Sequence, residues 1–218
     1  MNIAQLAADL FLKDAVQNHI QKYHEADNKI KAALTTTQMS HSERTSTVRE
    51  WLRTYSVLQG LTDEARSNVA AAIVDYADSA RPKHLSTDPE RIFEQFEQLH
   101  SMCSKAIPLT KKGKPRTLTS LASKALWCCY PDVVPIYDSQ AVSALSVLSR
   151  LMEIDEPDDG KPLYRRYVEV WFACYSRVTI PDAELGGFPH KVRVFDKVLW
   201  QLGRGGFGLA ASTESDVD

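Results

Sequence analysis

Residues 119–145, TSLASKALWCCYPDVVPIYDSQAVSAL, decide the fold of this chain. The stretch predicts a helix, a short extended segment and a second helix. Pro131 and Pro135 have no amide hydrogen and bias the residues before them towards extended backbone, so the first helix cannot continue through them. Asp138 then stands at the N-cap of the second helix, where its carboxylate meets the positive end of the helix.

The first of these helices has a polar face. Ser120, Ser123, Lys124 and Trp127 recur at i, i+3, i+4 and i+7, so they share one side of the helix. The apolar residues between them predict a core-facing side. We therefore expect Asp138 and this Trp-tipped face to line a common space. A solvated Ser/Lys face and an ordinary aspartate N-cap explain the same residues without any function.

The run VPIYDSQAVSAL, residues 134–145, resembles the core of the helix-hairpin-helix (HhH-GPD) DNA glycosylase superfamily. That superfamily includes the adenine, 8-oxoguanine and 3-methyladenine DNA glycosylases. The resemblance implies an all-α, two-lobed bundle of helices and gives Asp138 the part of the catalytic aspartate. The segment FDKVLWQLGRGG, residues 195–206, is similar to the closing helix of some archaeal-type 8-oxoguanine glycosylases.

The chain departs from the family pattern in two places. Bifunctional members carry a nucleophilic lysine eighteen positions before the aspartate, where this chain has Ser120. The resemblance therefore implies hydrolysis without a Schiff base, unless Lys124 one turn later takes that part. The glycine-containing hairpin of the family would fall on residues 114–120, KPRTLTS, which contain no glycine. A backbone contact with a DNA phosphate must then be made differently or not at all.

The resemblance suggests a role for each residue of the candidate site. The catalytic candidates are Asp138, Ser120 and Lys124; Lys124 is open to three readings, as a latent nucleophile, a phosphate contact or an ion-pair partner of Asp138. The candidates for DNA binding lie in the most basic run of the chain and just after it. They are Lys111, Lys112, Lys114, Arg116, Thr117, Thr119 and Ser123. Such a run between helices is also typical of a solvated loop. The candidates for a base pocket are Trp127, Tyr137, Gln140, Trp171 and Trp200, with Phe188 as a weaker one, and core packing explains their aromatic members equally well.

Composition limits the class of protein. The 218 residues are 44% hydrophobic and 25% charged, with a formal net charge of −2, as in ordinary soluble globular proteins. Any nucleic-acid binding must then use a local basic patch. Cys103, Cys128, Cys129 and Cys174 have neither the spacing of a metal site nor the clustered C-terminal set of an iron–sulfur glycosylase, so we expect reduced core thiols. We expect no signal peptide, because the first residues lack a basic segment that leads into an apolar run, and no apolar stretch of the sequence is long enough to span a membrane.

The partner, cofactor and location follow from these limits together with the resemblance. We expect double-stranded DNA with a modified base as the partner, no metal, no cofactor and no membrane. We also expect a monomer in the cytoplasm, associated with the nucleoid.

The rest of the chain predicts further helices. Residues 1–34 have helical periodicity throughout, residues 35–47 are rich in Ser and Thr and predict a loop, and the next helix is expected from residue 48. Gly203 is the expected C-cap of the last helix. We expect one helical domain over residues 1–208, with two lobes as an alternative (1–34 plus 150–208, and 48–149), and a disordered acidic tail over 209–218.

Three hypotheses about function remain open. The first is a monofunctional DNA glycosylase that hydrolyses the N-glycosidic bond of a flipped-out modified or mismatched base. The second is a non-catalytic DNA-binding module of the same fold. The third is a bacterial anti-phage defence effector that acts on modified DNA. Whether the chain is an enzyme is left open by the missing lysine and glycines.

Overall fold

The computed structural model describes residues 3–35, 38–55, 61–79, 81–108, 117–155 and 157–205. Within these ranges every regular element is helical, which confirms the prediction of an all-α bundle of helices. The α-helices are α1 Ile3–Asp14, α2 Gln21–Thr35, α3 His41–Thr54, α4 Asp63–Ser79, α5 Pro89–Lys105, α6 Thr119–Cys129, α7 Ser139–Leu151, α8 Leu163–Tyr175 and α9 Lys191–Arg204. A π-helical stretch, Ala15–Ile20, joins α1 to α2, and a 3-10 turn, Asp182–Leu185, precedes α9.

The chain divides into two compact units. The middle unit is Gln21–Ile136, and the terminal unit is Met1–Ile20 together with Tyr137–Asp218. These boundaries differ from the two lobes considered from the sequence, because α2 packs on α3 and α6, whereas α7 packs on α8 and α9. The expected tail, 209–218, lies outside the described residues.

The middle unit keeps charged side chains in its core by satisfying them with hydrogen bonds. Asp27, only 2% exposed, accepts a 2.5 Å bond from the Tyr55 hydroxyl. Arg44, 5% exposed, donates to the Ala33 carbonyl and forms a 2.6 Å ion pair with Asp78. Buried charge is tolerated only with such partners. These contacts therefore tie α2 to α3 and α3 to α4.

The start of α3 corrects the predicted loop over residues 35–47. The helix begins at His41, because Ser40 and Glu43 form a capping box. The amide of Glu43 donates to Ser40 Oγ at 3.3 Å, and the amide of Ser40 donates to Glu43 Oε2 at 2.8 Å. This Ser-x-x-Glu signal satisfies two amide groups at the helix start and outweighs the Ser/Thr-rich composition.

In the terminal unit, α7 and α9 make the most extensive helix–helix contact. Gly203 lies at this contact. A Cβ on Gly203 would overlap the carbonyl oxygen of Gln140 and lie 2.6 Å from its carbonyl carbon. The prediction of Gly203 as a C-cap is wrong: α9 continues to Arg204 and is capped by Gly205. Gly203 instead allows two helix backbones to approach each other.

All four cysteines are buried, as expected for core thiols, and burial raises the pKa of the Cys103 thiol to about 12.

None of the helices in the described ranges combines the length and the apolar character that crossing a bilayer requires.

Candidate active site at the start of α7

Asp138 is the N-cap of α7, as the sequence predicts. Its backbone is extended, with φ −142° and ψ 140°, and its Oδ1 accepts the amide hydrogen of Gln140 at 3.1 Å. Its carbonyl oxygen accepts the first bond of the helix from Val142. The side chain is half-buried. Gly203 brings α9 against the backbone of Gln140, so α9 packs directly on the turn that holds the carboxylate.

A cluster of tyrosines surrounds this turn within the terminal unit. The ring of Tyr137 meets that of Tyr167 edge-on at 5.1 Å, and Tyr167 stacks on Tyr164 at 6.2 Å. Burial raises the pKa of the Tyr167 hydroxyl, and the negative charges of Asp196 and Asp138 raise it further. Two carboxylates therefore act on one buried phenol.

Asp196, the second of these acids, is a residue that sequence reasoning missed. It is 3% exposed and accepts a 2.9 Å hydrogen bond from the indole nitrogen of Trp171. A signal for it exists: Val192, Asp196 and Leu199 recur at i, i+4 and i+7, so the acid lies on the apolar stripe of α9. A carboxylate on such an apolar stripe is buried only when a neighbouring group donates a hydrogen bond to it.

Ser120 and Lys124 form a close pair in the middle unit. Lys124 Nζ donates to Ser120 Oγ at 2.6 Å, one turn apart on α6, and Lys124 is 8% exposed. The face of α6 that these residues share is buried, since every residue from Leu121 to Cys129 is buried. The physical reason is that α6 packs against both α2 and α5.

Trp127 lies in the core in this structure. It is 1% exposed, and its indole nitrogen donates to the carbonyl oxygen of Pro131 at 3.2 Å. Lys31 Nζ lies 5.8 Å from the centre of the ring. An indole this deeply buried and already hydrogen-bonded offers no open face for a base to stack on.

The other base-pocket candidates have different environments. Tyr137 and Gln140 are half-buried and flank Asp138 along the chain. Trp171 is fully buried against Asp196. Trp200 is half-buried, with the cations of Lys197 and Arg204 5.1 and 5.2 Å from the centre of its ring. Phe188 is buried.

Four of the residues predicted to bind DNA lie in the segment 109–116, outside the described residues: Lys111, Lys112, Lys114 and Arg116. Of the rest, Thr117 is exposed, Thr119 is half-buried at the first position of α6, and Ser123 is buried. The start of α6 is held by His100, whose Nε2 accepts the Leu118 amide hydrogen at 3.3 Å.

Within the described ranges, no three His, Cys, Asp or Glu side chains come together in a way that would hold a metal ion. A scan against protein-family models matches no family, and searches of curated proteins and of solved structures return no match either.

Proposed function

We propose that this protein is a DNA glycosylase that hydrolyses the N-glycosidic bond of a modified or mismatched base after the base has left the duplex. The observation that supports the proposal is the geometry of Asp138. It is a half-buried carboxylate at the N-terminus of α7 that accepts a hydrogen bond from the backbone amide of Gln140. This part of the chain also carries the sequence resemblance to glycosylases.

The chemistry needs a fixed negative charge. Loss of a base leaves positive charge on the sugar, and a carboxylate already in position stabilises that charge without reorganising in the transition state. The same carboxylate can orient water or accept its proton. The bond to the Gln140 amide and the packing of α9 at Gly203 restrict the motion of Asp138, so both effects gain from pre-organisation.

DNA binding without catalysis is a second candidate function. Its support lies in the sequence: residues 114–120, where the family has its glycine hairpin, contain no glycine, and residue 120 is a serine where bifunctional members have a lysine. The burial of Lys124 and the bond that it donates to Ser120 argue only against strand cleavage, which requires an amine that can reach the sugar.

The test is an assay for abasic sites. Duplexes that carry a panel of modified and mismatched bases would be incubated with the purified protein and then treated with alkali, which cleaves abasic sites. We expect product with the wild-type protein and a loss of about a hundredfold or more in Asp138→Asn. Asparagine is as good an N-cap as aspartate, so this variant keeps the start of the helix.

Asp88 supplies a matched control. It caps α5 in the same way, and its Oδ1 accepts the amide hydrogen of Glu90 at 3.0 Å. Asp88→Asn should retain full activity. Equal activity of Asp138→Asn and the wild-type protein would refute the proposal, and binding without abasic sites would favour the second function. Strand cleavage without alkali that disappears in Lys124→Met would assign a lyase step to Lys124.

A further inference from the structure

The terminal unit contains a cavity of about 180 Å³ whose lining residues do not include Asp138. It lies between α7, α8 and the connection between them. Its apolar walls include Val142 and Leu145 of α7, and Leu163 and Val170 of α8. A cavity of about 150 Å³ in another protein holds a benzene molecule, so this one has room for a single aromatic ring with a substituent.

Aromatic side chains form one wall of the cavity. Tyr137 and Tyr167 both line it, with their rings edge-on at 5.1 Å. Tyr167 is 5% exposed, and its ring stacks on that of Tyr164. Rigid tyrosine rings favour a flat aromatic partner through offset or edge-to-face contacts.

A single cation lies among the residues that line the cavity. Arg166 is about one-third exposed, and its Nε is buried with no hydrogen-bond acceptor in the described part of the chain. Its charge acts on the Tyr137 phenol, where it opposes the rise in pKa that burial causes. A buried guanidinium N–H without an acceptor is costly, so the donors of Arg166 are not fully satisfied by the protein residues that the structure describes.

The present partner of Arg166 is easily replaced. Nη1 of Arg166 lies 2.5 Å from Asp159 Oδ1, but the Asp159 side chain is 96% exposed. An ion pair so open to water contributes little stability. Asp159 is also at the edge of the cavity. It therefore occupies the position that an incoming carboxylate would take.

We propose that this cavity binds a small aromatic carboxylate, with the ring against Tyr137 and Tyr167 and the carboxylate on Arg166. The planar guanidinium fork matches a carboxylate and can bind both of its oxygens. A neutral aromatic molecule has no charge to pair with Arg166, and a carboxylate without a ring has no flat surface to pack against the two tyrosines. The inference does not depend on glycosylase activity, because neither DNA nor the Asp138 carboxylate takes part.

The test is a titration of the isotope-labelled full chain with sodium benzoate, followed by NMR. We expect saturable shifts confined to α7, α8 and their connection, with a dissociation constant of about 1 mM. Benzamide, which has the same shape but no charge, and acetate, which has no ring, should each bind at least about tenfold more weakly.

Substitutions test whether Arg166 is the residue that binds the carboxylate of benzoate. Arg166→Gln should weaken benzoate binding roughly ten- to a hundredfold, and Asp159→Asn should tighten it about two- to fivefold by removing the competing carboxylate. Arg165→Gln is the matched control: Arg165 is the residue before Arg166 on α8, pairs with Glu169 and does not line the cavity. Its affinity should stay within about twofold of wild type.

Three results would overturn the proposal: no saturable binding at about 10 mM, equal affinity for benzoate and benzamide, or an affinity that Arg166→Gln leaves unchanged. Circular dichroism checks that Arg166→Gln is folded. Should that variant unfold, the comparison with benzamide and the surface change Asp159→Asn decide the question, since neither affects the core. A negative result here leaves the abasic-site assay unaffected, and the reverse also holds.

Discussion

Replacing Gly203 with alanine tests the close contact of α9 with α7. The new Cβ would overlap the carbonyl oxygen of Gln140 and lie 2.6 Å from its carbon and 3.0 Å from its Cα. All three atoms belong to the backbone, so no side chain can rotate away. One of the two helices has to move.

The size of the effect follows from two opposing terms. Overpacking of this kind costs about 1–3 kcal/mol, and backbone against backbone belongs at the upper end. Alanine regains about 1 kcal/mol because it is a better helix former than glycine. The expected net loss is about 2 kcal/mol, which lowers the melting temperature of a chain of this size by about 4–8 °C.

Thermal melting and urea unfolding measure this loss, and amide exchange locates it. The amide of Gln140 donates to Asp138 Oδ1, so its exchange should accelerate in Gly203→Ala as the start of α7 is displaced. Gly205→Ala is the control, since its Cβ would lie no closer than 3.3 Å to a carbonyl oxygen. That variant should stay within about 0.5 kcal/mol of wild type. If Gly203→Ala were as stable as wild type or more so, helix propensity would dominate and the close contact of α7 and α9 would be refuted.

Three further predictions test other parts of the structure. Ser40→Ala removes half of a capping box and should lower the free energy of unfolding by about 1 kcal/mol in urea titrations; an unchanged midpoint would contradict the assigned start of α3. Burial lowers the pKa of His100, whose neutral Nε2 accepts the Leu118 amide hydrogen. The pKa of His100 in the unfolded chain is about 6.5. The stabilisation that its neutral form gives to the folded protein is therefore complete above that pH and is lost as the pH falls towards the pKa in the folded state. Unfolding at pH 7.5 and pH 5 should show this loss in the wild-type protein and a smaller one in His100→Gln. The Cys103 thiol, with a pKa of about 12, should not react with a thiol reagent at neutral pH until urea unfolds the chain; rapid reaction in the folded state would show that the site is open.

Much of the fold was predictable from local signals. Asp138 after Pro135 was the expected start of α7, and Asp88 followed by proline is a signal of the same kind at the start of α5. Each of these signals acts within one turn of the helix that it starts. Ser40 and Glu43 carried the same kind of signal, and it was missed because the surrounding residues are those of a loop.

The candidate site was predictable only in part. Asp138 is the expected N-cap with its carboxylate half-buried, whereas Lys124 and Trp127 are buried on a helix face that was expected to be open. The period of a helix shows which side chains share a face, but not how many neighbouring helices cover that face. Asp196 was missed for the same reason, since the donor that meets it, Trp171, lies on another helix.

The sequence by itself determined where α3, α5 and α7 begin, because their capping side chains act on backbone amides only two or three positions away. Only the tertiary structure decided that Gly203 lies where two helix backbones come into close contact and that Arg166 and two tyrosines line one cavity. Such contacts join residues far apart in the chain. They depend on how helices pack, and no local pattern records that.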